Sequence, residues 1–318
     1  MKKYTYTETK DTRSGFGAGL IEAARENENI VGLCADLTGS LKMNAFENEF
    51  PERFFQVGIS EANMMSMAAG MGLSGMRPVI YTITPFTTLR CLEQIRIGVA
   101  YHQSPVVIVG TGSGLSYSEL GPTHHSLEDM AIIRTIPNIN VLAPSDKVEL
   151  IFQLREAIAS PIPTYIRIGK KGEPNLGKLN NNYGIGKANI LRDGKKYLLL
   201  GVGPIIGEAL KASEMLELEG ISLCVASMGG VSPLDVNFLS KMISENFTNW
   251  ITLEEHGIVG GLGTSIIEWL SDSKNSKIID LKRLGVPKQF INKLGNQEFT
   301  RNQLGLDAIG IKKEILEL

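Results

Sequence analysis

Short apolar runs alternate with longer segments of helical periodicity along the chain, in two consecutive blocks. The first block has apolar runs at 30–35, 78–81, 106–109 and 141–143, and a further strand-like run, TYIR, at 164–167. Those of the second block lie at 197–202, 222–226 and 250–254. Strands that are apolar on both faces are typical of parallel sheets covered by helices on both sides. The pattern therefore predicts an α/β protein with two open, mostly parallel sheets.

A segment rich in Gly, Asn and Lys separates the two blocks. Such a composition favours turns and irregular backbone, so residues 173–187 are predicted to form a linker. We therefore predict a first domain at 1–172 and a second domain at 188–318. The 318 residues of the chain are enough for two domains of ordinary size.

Composition and charge exclude several classes of function. The 32 basic and 34 acidic residues leave no basic excess to neutralise a nucleic-acid backbone. No uninterrupted apolar run is long enough to span a membrane, and the N-terminus lacks the apolar core of a signal peptide. The three cysteines have neither metal-binding nor disulfide spacing. We therefore expect a cytoplasmic protein that binds neither nucleic acid nor a membrane.

Glu61 is the acidic residue with the most unusual surroundings. It precedes an almost uncharged helical segment at 62–76, which indicates a carboxylate at a buried edge. Burial favours the neutral acid, and a neutral carboxylic acid can donate a hydrogen bond at neutral pH. An alternative is a charge at a helix N-terminus that the helix dipole favours. The residues around Glu61 leave both interpretations open.

His124 follows a turn signal at 121–123, where a loop histidine could transfer protons or bind a hydroxyl group. The same segment also resembles the capping region of a helix, with Thr123 or Ser126 as the cap. The glycines at 110–114 could hold a phosphate or form an ordinary loop. For His124 and for the glycines at 110–114, the local sequence leaves both the functional and the structural interpretation open.

Several segments together resemble the transketolase family. In the first block they are 58–64 (GISEANM), 68–71 (AAGM), 93–96 (EQIR), 121–124 (GPTH), 136–141 (IPNINV) and 144–146 (PSD). In the second block they are 232–235 (SPLD), 254–256 (EEH) and 260–263 (GGLG). They span nearly the whole chain in the order that the family has. The chain thus resembles the C-terminal half of a transketolase, a pyrimidine-binding domain followed by the transketolase C-terminal domain.

The resemblance implies a site for thiamine diphosphate. Glu61 matches the glutamate that hydrogen-bonds N1′ of the aminopyrimidine and so promotes proton removal from the thiazolium ring. Phe86 matches the aromatic ring that stacks on the pyrimidine, and Ile83 falls beside it as a further cofactor contact. His124 matches a substrate-binding, catalytic histidine. Three further positions match contacts to the phosphate of the substrate: Arg13, Ser40 and Arg167.

The resemblance also implies a partner. A complete transketolase has an N-terminal domain that holds the diphosphate and Mg²⁺ through a Gly-Asp-Gly motif, and this sequence contains no such motif. We therefore expect the Mg²⁺ ligands on a separate N-terminal transketolase subunit, in an α2β2 heterotetramer. The substrate is expected to be a sugar or sugar phosphate that donates a ketol unit.

Two positions depart from the family pattern. Leu120 stands where an aspartate usually binds a donor hydroxyl, and Gly112 stands where a phosphate-contacting histidine is usual. Losing a hydrogen-bonding partner of a substrate hydroxyl can change discrimination by about 10⁴ in the strongest cases. We therefore predict an unusual or modified sugar substrate. Arg13 and Arg167 keep an anionic substrate possible.

Three other functions remain open. The beta subunit of a 2-oxoacid dehydrogenase has both domains and the glutamate, although the loop at 121–124 is more similar to transketolase. A deoxyxylulose-phosphate-synthase-like enzyme is a second alternative, but Ser113 stands where its arginine is expected. A non-catalytic assembly subunit would fit the changes at Leu120 and Gly112, whereas the presence of Glu61 and Phe86 argues against it.

Overall fold

The computed structural model describes residues 12–39, 43–170, 172–176, 183–273, 279–293 and 295–318. Within these residues the chain forms a seven-stranded and a five-stranded sheet with helices around them. The predicted α/β class with mostly parallel sheets is confirmed.

The first part of the chain supplies six strands of the larger sheet. They are β1 (Ile30–Cys34), β2 (Phe54–Gln56), β3 (Arg77–Ile83), β4 (Val107–Thr111), β5 (Asn140–Leu142) and β6 (Thr164–Ile168). All their pairings are parallel, in the spatial order β5-β6-β4-β3-β1-β2. β1, β4, β5 and β6 are buried throughout, as continuous apolar runs require.

Helices cover both faces of this sheet. They are α1 (Thr12–Glu26), α2 (Asn44–Glu49), α3 (Glu61–Leu73), α4 (Thr84–Thr87), α5 (Leu92–Gln94), α6 (Asp129–Ile133) and α7 (Lys147–Ala159). α5 continues as a π-helix over Ile95–Tyr101. Short 3₁₀ helices lie at Pro51–Arg53 and Ser118–Thr123. The start of α7 is fixed by Asp146, whose carboxylate accepts hydrogen bonds from the amides of Val148 and Glu149.

The second part of the chain forms the smaller sheet and one further strand. The strands are β7 (Asn189–Arg192), β8 (Tyr197–Val202), β9 (Leu223–Ser227), β10 (Gly230–Ser232), β11 (Asn249–Gly257) and β12 (Asp280–Val286). The helices are α8 (Ile206–Glu217), α9 (Val236–Ser244), α10 (Leu262–Asp272), α11 (Gln297–Gln303) and α12 (Ala308–Leu316). The order in the smaller sheet is β12-β11-β8-β9-β7. Its pairings are parallel except that of β7 with β9, which is antiparallel.

β10 joins the two parts of the chain. It pairs antiparallel with β5, so a strand from beyond the predicted linker forms an edge of the first sheet. The amide of Ala143 donates to the carbonyl of Gly229 at 2.8 Å, and the amide of Gly203 donates to the carbonyl of Ala143 at 2.9 Å. One buried hydrophobic cluster contains side chains from both sheets, including Val141 and Trp250. Hydrogen bonds and core packing therefore both hold the two parts together.

Candidate functional site

The predicted site residues lie where neighbouring parallel strands end. Ile83 is the last residue of β3, and Phe86 follows in α4. The glycine-rich segment 110–114 begins within the last two residues of β4 and continues beyond it. The carboxyl ends of parallel strands lie at one edge of a sheet, where open α/β sheets bind ligands. The Ile83 side chain is buried. The local fold thus places a candidate site at this edge.

Glu61 begins α3 and is only 4% exposed. Nη1 of Arg90 lies 2.7 Å from both carboxylate oxygens, and the Arg90 side chain is 47% exposed. A buried carboxylate is stable as an anion only when a partner supplies charge and hydrogen bonds. Arg90 supplies both. The sequence interpretation as a neutral acid did not include this arginine, which nothing in the local pattern distinguishes from a surface residue.

Arg90 connects Glu61 to the other predicted cofactor contact. Its guanidinium carbon lies 4.4 Å from the centroid of the Phe86 ring, a cation–π arrangement. The His124 ring packs edge-on against the same ring, with 5.4 Å between centroids. Phe86 therefore contacts both Arg90, the partner of Glu61, and His124.

His124 ends the 3₁₀ segment and is half-buried. Its Nδ1 lies 2.9 Å from the hydroxyl of Thr123, and its ring lies 5.8 Å from that of Tyr117. Burial lowers the pKa of His124, and the nearby His125 and Lys170 lower it further. The imidazole is thus neutral at pH 7, and one ring nitrogen can accept a hydrogen bond. The buried His125 instead contacts the carbonyl of Ser118 at 3.3 Å, a structural position.

Two of the three predicted phosphate ligands lie within the described residues. Arg13 lies in the first turn of α1, where its charge partly opposes the rise that burial causes in the pKa of Tyr117. Ser40 lies outside the described residues. Arg167 is 3% exposed: its Nε lies 2.8 Å from Asp129, and its Nη2 donates to the carbonyls of Ser126 and Glu255. The Arg167 guanidinium is therefore engaged in a buried network.

That network crosses between the two parts of the chain. Asp129 accepts a hydrogen bond from the Tyr165 hydroxyl at 2.7 Å, and His256 from β11 lies 3.9 Å from it. Burial lowers the pKa of His256 to about 4, while burial raises the pKa of its neighbour Glu254 to about 7. His256 contacts the carbonyl of Gly257 at 2.7 Å through Nδ1 and accepts from the amide of Ala131 through Nε2. A neutral histidine makes both contacts, so His256 acts as a structural residue.

The described residues fit one end of a thiamine diphosphate molecule. A buried carboxylate and an aromatic ring lie close together, as an aminopyrimidine requires. The described residues contain no group of three or more His, Cys, Asp or Glu arranged to hold a metal ion. The fold and these contacts define an α/β protein with a buried carboxylate and an aromatic ring joined by one arginine.

Comparison with known proteins agrees with this description. Residues 8–173 match the transketolase pyrimidine-binding domain, and residues 186–308 match the transketolase C-terminal domain. The chain belongs to the transketolase family, whose members are thiamine-diphosphate-dependent. No helix in the described part of the chain is both long and apolar enough to cross a membrane.

Similar proteins match over almost their whole lengths. One of the subunits of the apulose-4-phosphate transketolase of Phocaeicola vulgatus is 33% identical, with 96% of each chain covered. A putative transketolase C-terminal section of Methanocaldococcus jannaschii is 36% identical, covering 97% of this chain and 96% of its own. The 6-deoxy-6-sulfo-D-fructose transketolase subunit SqwH of a Clostridium strain is 32% identical, covering 91% and 88%. By contrast, the 34% identical 1-deoxy-D-xylulose-5-phosphate synthase of Dictyoglomus thermophilum is covered over only 49% of its length.

A solved structure of similar length has the same fold. It is described as a split gene transketolase, inactive beta4 tetramer, and it has a TM-score of 0.86 at 32% identity. The match covers 96% of this chain and 97% of that one. The two chains therefore share the same fold over nearly their whole lengths.

Proposed function

We propose that this chain is the C-terminal subunit of a split transketolase that transfers a ketol unit between sugars. The observation that carries the proposal is the contact between the buried Glu61, Arg90 and Phe86 at the ends of the strands. The family resemblance gives this arrangement a function, because Glu61 and Phe86 occupy the positions of the cofactor-activating acid and the stacking ring. Relatives of the same extent are described as transketolase subunits.

Each residue of the site has a defined task. The carboxyl group of Glu61 would hydrogen-bond N1′ of the aminopyrimidine and so promote proton removal from the thiazolium ring. Phe86 would stack on the pyrimidine, with Ile83 as an apolar contact below it. Bound thiamine diphosphate would supply the electron sink for cleavage of the carbon–carbon bond beside a ketose carbonyl. The neutral His124 would orient a substrate hydroxyl and accept its hydrogen bond.

Arg90 would change partners when the cofactor enters. In the structure it lies between the Glu61 carboxylate and the Phe86 ring face, the two groups that the pyrimidine needs. The Arg90 side chain is half exposed, so in this proposal it would turn toward solvent when the pyrimidine binds. Arg90 would thus stabilise the Glu61 carboxylate until the pyrimidine takes the place of Arg90.

The other half of the site requires a partner. We infer an N-terminal transketolase subunit that carries the Mg²⁺ ligands and the diphosphate contacts, assembled with this chain as α2β2. In this proposal residues 1–172 form the pyrimidine-binding domain, 173–187 the linker and 188–318 the C-terminal domain. The complex would work in the reducing cytoplasm, consistent with the free and buried thiols of Cys34, Cys91 and Cys224.

The substrate is proposed to be an unusual sugar with an anionic end. The exposed Leu120 cannot accept the hydrogen bond that a carboxylate would accept from a donor hydroxyl. Two of the relatives are named for a sugar phosphate and a sulfo sugar, respectively. Arg13, Ser40 and Arg167 remain the proposed phosphate ligands. For Arg167 this role requires that its guanidinium also reaches the substrate from its buried network.

The test is reconstitution with the partner subunit. Ketol transfer should occur with thiamine diphosphate and Mg²⁺, and Glu61→Ala should reduce kcat by at least about 10²-fold while the complex still assembles. Glu49→Gln is a matched control, because Glu49 pairs with Arg25 at 2.6 Å on the exposed surface. Unchanged turnover in Glu61→Ala would indicate a non-catalytic assembly subunit. Decarboxylation of a 2-oxoacid without ketol transfer would instead favour a 2-oxoacid dehydrogenase or a deoxyxylulose-phosphate-synthase-like enzyme.

A further inference from the structure

Tyr117 occupies the space above Gly112. Gly112 follows β4 with a φ of 73°, a left-handed conformation that favours glycine. A Cβ built on Gly112 would lie 3.2 Å from Cζ of Tyr117 and would overlap Cδ2 and Cε2 of the same ring. The ring therefore packs on the bare backbone of residue 112. No larger residue fits at position 112 unless Tyr117 moves.

Polar and charged groups surround the Tyr117 ring. Nζ of Lys170 lies 4.2 Å from the ring centroid, and the His124 ring lies 5.8 Å away. The hydroxyl also feels the charge of Arg13. Three separate segments supply these residues. Arg13 lies in the first turn of α1, Tyr117 in the loop after β4, and Lys170 two residues beyond the end of β6. Lys170 and Tyr117 therefore lie near His124, and Arg13 lies within electrostatic range of the Tyr117 hydroxyl.

We propose that Tyr117 is a specificity-determining residue which, with Lys170 and Arg13, binds the anionic end of the sugar substrate. This inference rests on the proposed function, since it places the anion next to the histidine that contacts the substrate. The tetrahedral oxyanion is a phosphate or a sulfo group. Its oxygens accept charge-assisted hydrogen bonds from Lys170 and Arg13 and a further bond from the Tyr117 hydroxyl.

The packing of the Tyr117 ring on Gly112 explains why a tyrosine at 117 requires a glycine at 112. A histidine at 112 and a tyrosine ring above it would compete for one volume. Replacement of the histidine by glycine therefore makes room for a donor that reaches in from the neighbouring loop. The substitution at Gly112 relocates an anion ligand and does not simply remove one.

Binding of inorganic phosphate to the full chain tests the inference. Wild type should bind phosphate saturably in calorimetry, and Lys170→Met should weaken binding about tenfold. Tyr117→Phe keeps the ring and should weaken binding about fivefold. Lys196→Met is the matched control, because Lys196 lies 4.7 Å from the centroid of the Tyr197 ring, away from the site. It should stay within about twofold of wild type.

Parallel titrations with sulfate and ethanesulfonate distinguish a phosphate ligand from a sulfo ligand. Absence of saturable binding to wild type, or binding by Lys170→Met and Tyr117→Phe within twofold of wild type, would overturn the inference. Unfolding by denaturant shows whether either variant is misfolded, and Tyr117→Phe leaves the packing on Gly112 in place.

Kinetics of the reconstituted pair separate this inference from the proposed function. Tyr117→Phe should raise KM for an anionic sugar about fivefold, with kcat and the KM for an uncharged sugar little changed. Phosphate binding to the chain needs no cofactor, so a chain that binds phosphate without ketol transfer refutes only the proposed function. Ketol transfer with unaltered KM in both variants refutes only the role of Tyr117 and Lys170.

Discussion

Glu149 allows a quantitative prediction about stability and pH. It lies fully buried on α7, where it accepts a hydrogen bond from the amide of Ser145 at 2.6 Å and from the Ser227 hydroxyl at 2.9 Å. Burial raises its pKa from the ordinary 4.5 to about 7. Between these values the folded chain binds the proton more tightly than the unfolded chain does. Stability therefore falls as the pH rises through this range.

The two pKa values set the size of the effect. From pH 5 to pH 8 the ionisation of Glu149 should lower the free energy of unfolding by about 2.5 kcal/mol. In Glu149→Gln this contribution disappears, since glutamine stays neutral and can still accept the hydrogen bond from Ser145. Urea unfolding of both proteins at pH 5 and pH 8 measures the difference.

The comparison between variants removes contributions from other groups. His256 acts in the opposite direction, because its pKa is lowered to about 4, but it is present in wild type and variant alike. Glu156→Gln, an exposed position on the same helix, should keep the wild-type pH dependence. If Glu149→Gln loses as much stability from pH 5 to pH 8 as wild type does, the assigned protonation of Glu149 is wrong.

Three further predictions concern the site. Arg90→Met should destabilise the fold by about 1–2 kcal/mol because it leaves the buried Glu61 unpaired, and Glu61→Gln in the same chain should restore part of the loss; equal destabilisation of the single and double variants would contradict this reason. Gly112→Ala should cost about 1–3 kcal/mol, since it combines a positive φ with a clash against Tyr117; wild-type stability in thermal unfolding would refute it. Leu120→Asp should raise kcat/KM for an unmodified pentose phosphate at least about tenfold in the reconstituted pair, and no gain would show that Leu120 does not set the choice of donor.

Strands with continuous apolar sequences were the most predictable part of the fold. The predicted strand at 197–202 coincides with β8, and the predicted strand at 30–35 ends one residue beyond β1. β12 was not predicted, because it is an edge strand that contains Asp280, Lys282 and Arg283. β10 has only three residues, and its partner β5 is distant in sequence. Local patterns contain little information about such pairings.

The candidate site shows the same difference between features that local sequence predicts and contacts that depend on residues distant in sequence. Motifs located Glu61, Phe86 and His124. In the structure Arg90 contacts Glu61 and Phe86, and His124 packs against Phe86. Arg90 itself was missed, because its contact with Glu61 joins residues 29 positions apart. Nor does a sequence position show that Arg167 faces Asp129 in a buried network. Residue identity predicted which groups are present, whereas their partners depended on tertiary structure.

The pairing of β10 with β5 has a consequence for fragments of this protein. An isolated piece ending at residue 172 would leave the β5 edge of the first sheet uncovered, with backbone groups of Val141, Leu142 and Ala143 lacking their strand partner. Uncovered apolar edges pair readily with other chains. Such a fragment should self-associate through that edge. A peptide containing residues 228–234, added in excess, should compete for the edge and keep the fragment dispersed.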